Sequence, residues 1–104
     1  MIIDSSAKGL RCQMTGLLVD FEMHPEQGEL VALDVCEMIG TRLAARDDYQ
    51  MGVMGLFVRT VLLALDRGRM AFPEAVDRLC RAAMAAPLGH AALADCFDLR
   101  IRGA

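Results

Sequence analysis

The stretch YQMGVMGLFVRTVLLAL, residues 49–65, decides how the rest of the chain must be arranged. At about 100° per residue, its apolar positions Tyr49, Met51, Val53, Met54, Leu56, Phe57, Val58, Val61, Leu62, Leu63 and Leu65 cover most of a helix circumference. Gly52, Gly55, Arg59 and the following Asp66 share the narrow strip that remains. Asp47 and Asp48 supply a side-chain cap just before the run, and Gly68 stands where a left-handed terminating residue belongs. A membrane span calls for about 20 predominantly apolar residues; this run is shorter, carries Arg59 and ends at charge. The expectation is therefore a buried central helix, covered on nearly every side, and no membrane partner. Gly52 and Gly55 would permit close approach of a second helix.

Outward from this helix, the flanking segments supply the cover. Upstream, Leu10, Met14, Leu17, Leu18 and Phe21 fall within one arc of a helix starting at Ser5 or Ser6 and ending near Glu22, while Cys12, Val19 and Met23 form a weaker stripe on another side. Pro25 breaks this helix and suits the first turn of the next, which the pattern extends to about Arg46. Val31, Ala32, Val35, Met38, Ile39 and Leu43 form its inward face. Leu30 and Leu33 project the other way, amid Glu26, Glu37 and Thr41. Downstream, Pro73 opens a helix running to about Ala86 with Val76, Leu79, Cys80 and Ala83 inward; Glu74 with Arg78 and Asp77 with Arg81 are i,i+4 pairs outside. A short fifth helix over 87–96 follows. Residues 97–102 alternate apolar and charged side chains, the pattern of an extended arm. The expected fold is all-α: a single domain over 1–104, of four to five helices around the central apolar helix, with a short extended C-terminal arm.

Composition agrees. The 104-residue chain is 55% hydrophobic with five aromatic residues and no Trp, so the apolar excess is Ala, Leu, Val and Met, residues of packed helices. A net charge of −3 weighs against a nucleic-acid partner, since phosphate affinity comes from clustered Lys and Arg. A helix-turn-helix reader would draw on Arg67, Arg69, Arg78 and Arg81, but two of these have acidic i,i+4 neighbours. The charge is uneven. From Asp20 to Asp48 there are eight acids against Arg42 and Arg46, and from Arg59 to Arg102 seven arginines against five acids.

Catalytic and metal signatures are missing from the sequence. Cys12, Cys36, Cys80 and Cys96 include no Cys-x-x-Cys pair, and the grouping of Cys80, His90 and Cys96 matches no nucleophile or zinc spacing. Asp47-Asp48, the adjacent acidic pair, is accounted for by capping, and Gly52-x-x-Gly55 lacks the strand-turn-helix setting of a phosphate loop. No cofactor, metal or enzymatic activity is expected. No charged start with an apolar core and small-residue cleavage site is present, which points to reduced thiols in a cytoplasm. Ten arginines to one lysine suggest a GC-rich bacterial genome.

The apolar excess points instead to another protein. Partner contact is expected through Leu30, Leu33, Gly52, Gly55, Phe57 and Arg59, with two-fold self-association into a homodimer. In overall size and helical character the chain resembles the small antiactivators of bacterial quorum-sensing regulators, a likeness without a shared motif that carries no site residue across. It implies a non-catalytic regulator that lays an apolar helix against a transcriptional regulator. The alternatives are an accessory subunit of an enzyme complex and a small DNA-binding regulator.

Overall fold

The computed structural model describes residues 7–97. Five helices are present: α1 (Ala7–Met23), α2 (Gly28–Gly40), α3 (Asp48–Asp66), α4 (Phe72–Ala85) and α5 (His90–Cys96), with 3-10 turns at Pro25–Gln27 and Ala86–Leu88. The described residues contain no strand, so the all-α expectation holds. The serine cap at Ser5 or Ser6 and the arm from Asp98 onward lie outside the described residues.

The sequence signals at both ends of α3 correspond to specific hydrogen bonds. Asp47 is extended, and its Oδ1 accepts from the Gln50 backbone N–H at 2.7 Å. At the other end Gly68 adopts a φ of +71°. Its N–H donates to the Leu65 carbonyl at 3.1 Å, and the Arg69 N–H donates to the Ala64 carbonyl at 2.8 Å. This pair of reversed bonds satisfies carbonyls that the helix end would leave free.

α2 ends earlier than its periodicity implies, at Gly40 rather than near Arg46. Two features account for the early stop. A Cβ on Gly40 would lie 3.1 Å from the Met51 methyl, so this residue marks a close crossing of α2 and α3. Beyond it the chain is tied to the end of α4: Arg42 Nε donates to the Ala83 carbonyl at 2.8 Å and the Ala44 N–H to the Ala86 carbonyl at 3.3 Å. These tertiary bonds supply partners to carbonyls at the end of α4, and they outweigh continued helix in the connector. The fifth helix also starts late. Gly89, at φ +112° and ψ −178°, adopts a conformation open essentially to glycine alone and separates the 3-10 turn from α5.

The inward stripes meet in one core. Leu10, Met14, Leu18 and Phe21 of α1, Val31, Ala32, Val35 and Ile39 of α2, and Val76, Leu79, Cys80 and Ala83 of α4 are all buried, as their spacing predicts. α1 packs on α4 and α2, α3 packs on α2 and α4, and α5 packs on α4. An Arg11–Asp77 ion pair joins α1 to α4 at the surface. The principal extents of 34 × 32 × 21 Å make the body two helices thick, since a helix with its side chains is about 10–12 Å across.

α3 buries more residues than any other helix, yet it is not covered on nearly every side. Tyr49, Gly52, Leu56, Arg59, Leu63 and Asp66 are exposed along one flank. By length and composition the helix could cross a membrane, but about half of it is buried within the chain.

The core predicts its own sensitivity. Leu79 is fully buried on α4, so Leu79→Ala should destabilise the fold by about 2–5 kcal/mol. Equilibrium urea unfolding checks this, and a loss well under 1 kcal/mol would show that α4 is not packed as described.

Candidate interaction surface

The contact between α2 and α3 sets the surface. A Cβ on Gly55 would lie 4.0 Å from Cys36 Sγ, and Gly40 meets Met51 near the other end. Arg59 Nε and Nη2 donate to the Glu29 carboxylate at 3.1 and 2.5 Å. These three contacts fix the two helices as antiparallel. The same hypothetical Cβ on Gly55 would sit 2.8 Å from Arg59 Nη1. Glycine at this position therefore leaves room for the guanidinium one turn later to fold back along α3 toward Glu29.

In this register Leu33, between Glu29 and Cys36, lies level with the α3 turn that carries Leu56 and Arg59. Leu30 and Leu33 are 60% and 51% exposed, and Leu56 and Leu63 are 68% and 48% exposed. A recess of about 350 Å³ opens beside them, with Phe21, Ala32, Leu62 and Leu63 among its apolar walls and Glu29, Arg59 and Asp66 among its polar ones. Of the four exposed leucines Leu63 lines this hollow, together with the Glu29–Arg59 ion pair, and Leu30, Leu33 and Leu56 stand on the same two helices outside it. The rim carries Asp66, and Glu26, Asp34 and Asp48 are exposed on the same two elements or the turn before them; Arg46 and Arg59 are held by Glu37 and Glu29, and Arg67 and Arg69 are exposed just beyond Asp66.

The residues expected to meet a partner therefore divide. Leu30, Leu33 and Arg59 are exposed and share this face. Gly52 is exposed with open space where a Cβ would be, so none of the described helices approaches it closely. Gly55 is buried and serves the α2–α3 crossing and the Arg59 path. Phe57 requires correction: at 4% exposed it belongs to the core, with its ring 4.9 Å from that of Phe97. Leu56 and Leu63 are exposed on this face and were not among the expected residues. Both sit on the arc of the exposed Arg59, and that charge was the signal that could have marked their side as outward.

Elsewhere several of the charged groups are engaged in ion pairs. Among the described residues no three His, Cys, Asp or Glu side chains come together as a metal site. Arg11, Arg46, Arg59, Arg78 and Arg81 each hold a carboxylate, whereas Arg67 and Arg69 are exposed and form no ion pair among the described residues.

Two measurements test these environments. The hydrogen-bonded guanidinium of Arg59 holds the Glu29 carboxyl below the usual glutamate range. The pair therefore contributes above the unfolded carboxyl pKa and is lost as pH falls through the lower folded value. A carbon-detected NMR titration should place the Glu29 midpoint below the ordinary glutamate value and return it there in Arg59→Gln; an unchanged midpoint in that variant would rule the pairing out. Burial pushes the Cys36 and Cys80 thiols up, so little thiolate is available there, whereas Cys12 is exposed. Iodoacetamide at neutral pH should label Cys12 well before Cys36 or Cys80 in the folded protein, and equal rates would contradict the burial of the two.

Compared with known proteins, the chain matches no family model, no curated protein and no solved structure.

Proposed function

We propose that the α2–α3 face binds an amphipathic helix of another protein and that the chain acts as a non-catalytic interaction regulator. One observation carries this: Leu30, Leu33, Leu56 and Leu63 are exposed on two antiparallel helices that also wall an apolar recess, with Leu63 in its lining. The recess has the size to receive one large apolar side chain, and the leucines beside it would flank the rest of a helix laid along the crevice. A helix captured there is withheld from its other contacts, which is how an inhibitor or antiactivator of a regulator would act.

Charge selects the partner. The rim carboxylates favour a helix whose polar flanks carry Lys or Arg. They oppose a second copy of this chain at the same face, because a two-fold contact sets the patch against itself and places acid opposite acid. A homodimer would be better placed at the separate apolar positions Met84 and Leu88, at the end of α4.

A designed probe tests this directly. A helical peptide with leucines at i, i+3, i+4 and i+7 and lysines on its flanks should shift backbone NMR signals along α2 and α3 of the labelled chain. Leu33→Asp and Leu56→Asp should each weaken binding about tenfold or more, and Leu88→Asp should leave it unchanged. Equal binding by a peptide with glutamate in place of lysine would overturn the choice of partner. So would a dimer in sedimentation that Leu56→Asp dissociates, which would assign the face to a second copy.

A further inference from the structure

Gln50 is the third residue of α3, the position from which a Gln side chain commonly reaches back to the backbone N–H of the N-cap residue. Here the cap is one-sided. Asp47 accepts from the Gln50 backbone, while the Gln50 side-chain amide makes no hydrogen bond to any described residue. Yet Gln50 is 5% exposed, the one polar residue in the buried set among the described residues. No buried side-chain nitrogen or oxygen is sealed away without a partner, so the Gln50 amide must open onto a hollow. Two adjoin it: a recess of about 320 Å³ walled by Val53, Leu93, Ala94 and Phe97 with Tyr49 and His90 at its edge, and a second bordered by Asp47, Gly89 and His90.

An amide that water reaches inside a largely apolar hollow can exchange that water for the complementary groups of a ligand. We propose that this recess is a binding site for a small neutral molecule with an amide or lactam group on a single-ring or short apolar body. The Gln50 amide presents one acceptor oxygen and a donor NH₂ side by side, and an amide or lactam returns the complementary pair. Among the described residues the first recess has neither Lys nor Arg nor a carboxylate in its lining, and the Asp47 carboxylate on the second is engaged by the helix cap. A cation would be desolvated there with no free carboxylate among the described lining residues, and an anion would find only the His90 ring at the edge. The volume lies at the low end for ligand pockets, about 300–1,000 Å³, which restricts the body to roughly one ring. The site is separate from the α2–α3 recess and stands independently of the helix-binding reading.

Benzamide is the probe, with toluene and benzoate as its apolar and anionic counterparts. Titrated into the full chain labelled with ¹⁵N, benzamide should move the Gln50 side-chain NH₂ signals together with the backbone signals of Val53, Leu93 and Phe97, and should saturate. Toluene and benzoate should bind about tenfold more weakly, the factor one buried hydrogen bond commands. Gln50→Leu should erase the preference for benzamide over toluene. Val53→Phe, which keeps Gln50 and fills the recess, should block both. No movement of the Gln50 NH₂ signals up to the solubility of benzamide would overturn the proposal, as would equal affinity for toluene in the unaltered chain.

Discussion

A body two helices thick cannot enclose a helix that is apolar nearly all round. This constraint governs the molecule. α2 and α4 cover α3 on two sides and the domain ends there, leaving a flank that carries Leu56 and Leu63 in the open. The same thinness gives every helix an outward face, and on α1 and α4 that face is ordinary: charged, ion-paired and interrupted by few apolar residues. Only along α2 and α3 does the uncovered side bring several leucines together.

What makes that face a surface of defined shape is the Arg59–Glu29 pair. Its net energetic worth in solvent is small, as for exposed ion pairs generally, but its geometry is bidentate and it spans the crevice between the two helices. Gly55 makes it possible by leaving room for the guanidinium to lie back along its own helix. One glycine thus serves both the packing of α3 on α2 and the polar crossbar beside the apolar recess. A long side chain on each bank of the crevice is thereby held in place, so the recess has fixed polar walls as well as an apolar floor.

The sequence was legible wherever local chemistry decided the outcome. Asp47, Pro25, Pro73 and Gly68 marked helix ends through bonds or backbone angles that depend on near neighbours alone, and the inward stripes of α1 and α4 followed from period. It was less legible where a distant partner decided. Nothing near Gly40 announces that Arg42 and Ala44 will hydrogen-bond to the end of α4, so α2 was read too long. The burial of Phe57 and the exposure of Leu56 follow from which two flanks of α3 receive neighbours, a question that an almost uniformly apolar wheel leaves open. Gln50 escaped notice for the opposite reason: a Gln beside a cap is so common that its side chain suggests nothing until its burial is known.

The Arg11–Asp77 pair that joins α1 to α4 links residues 66 positions apart. Each of the other principal helix contacts joins elements that are neighbours or near neighbours along the chain. Helices α2 to α5 are therefore connected by short loops whose closure costs little entropy, and they can assemble by local steps, whereas seating α1 on α4 closes the longest loop of the fold. The α1–α4 seam thus holds the most non-local pairing of the fold, the kind of contact that slows folding most.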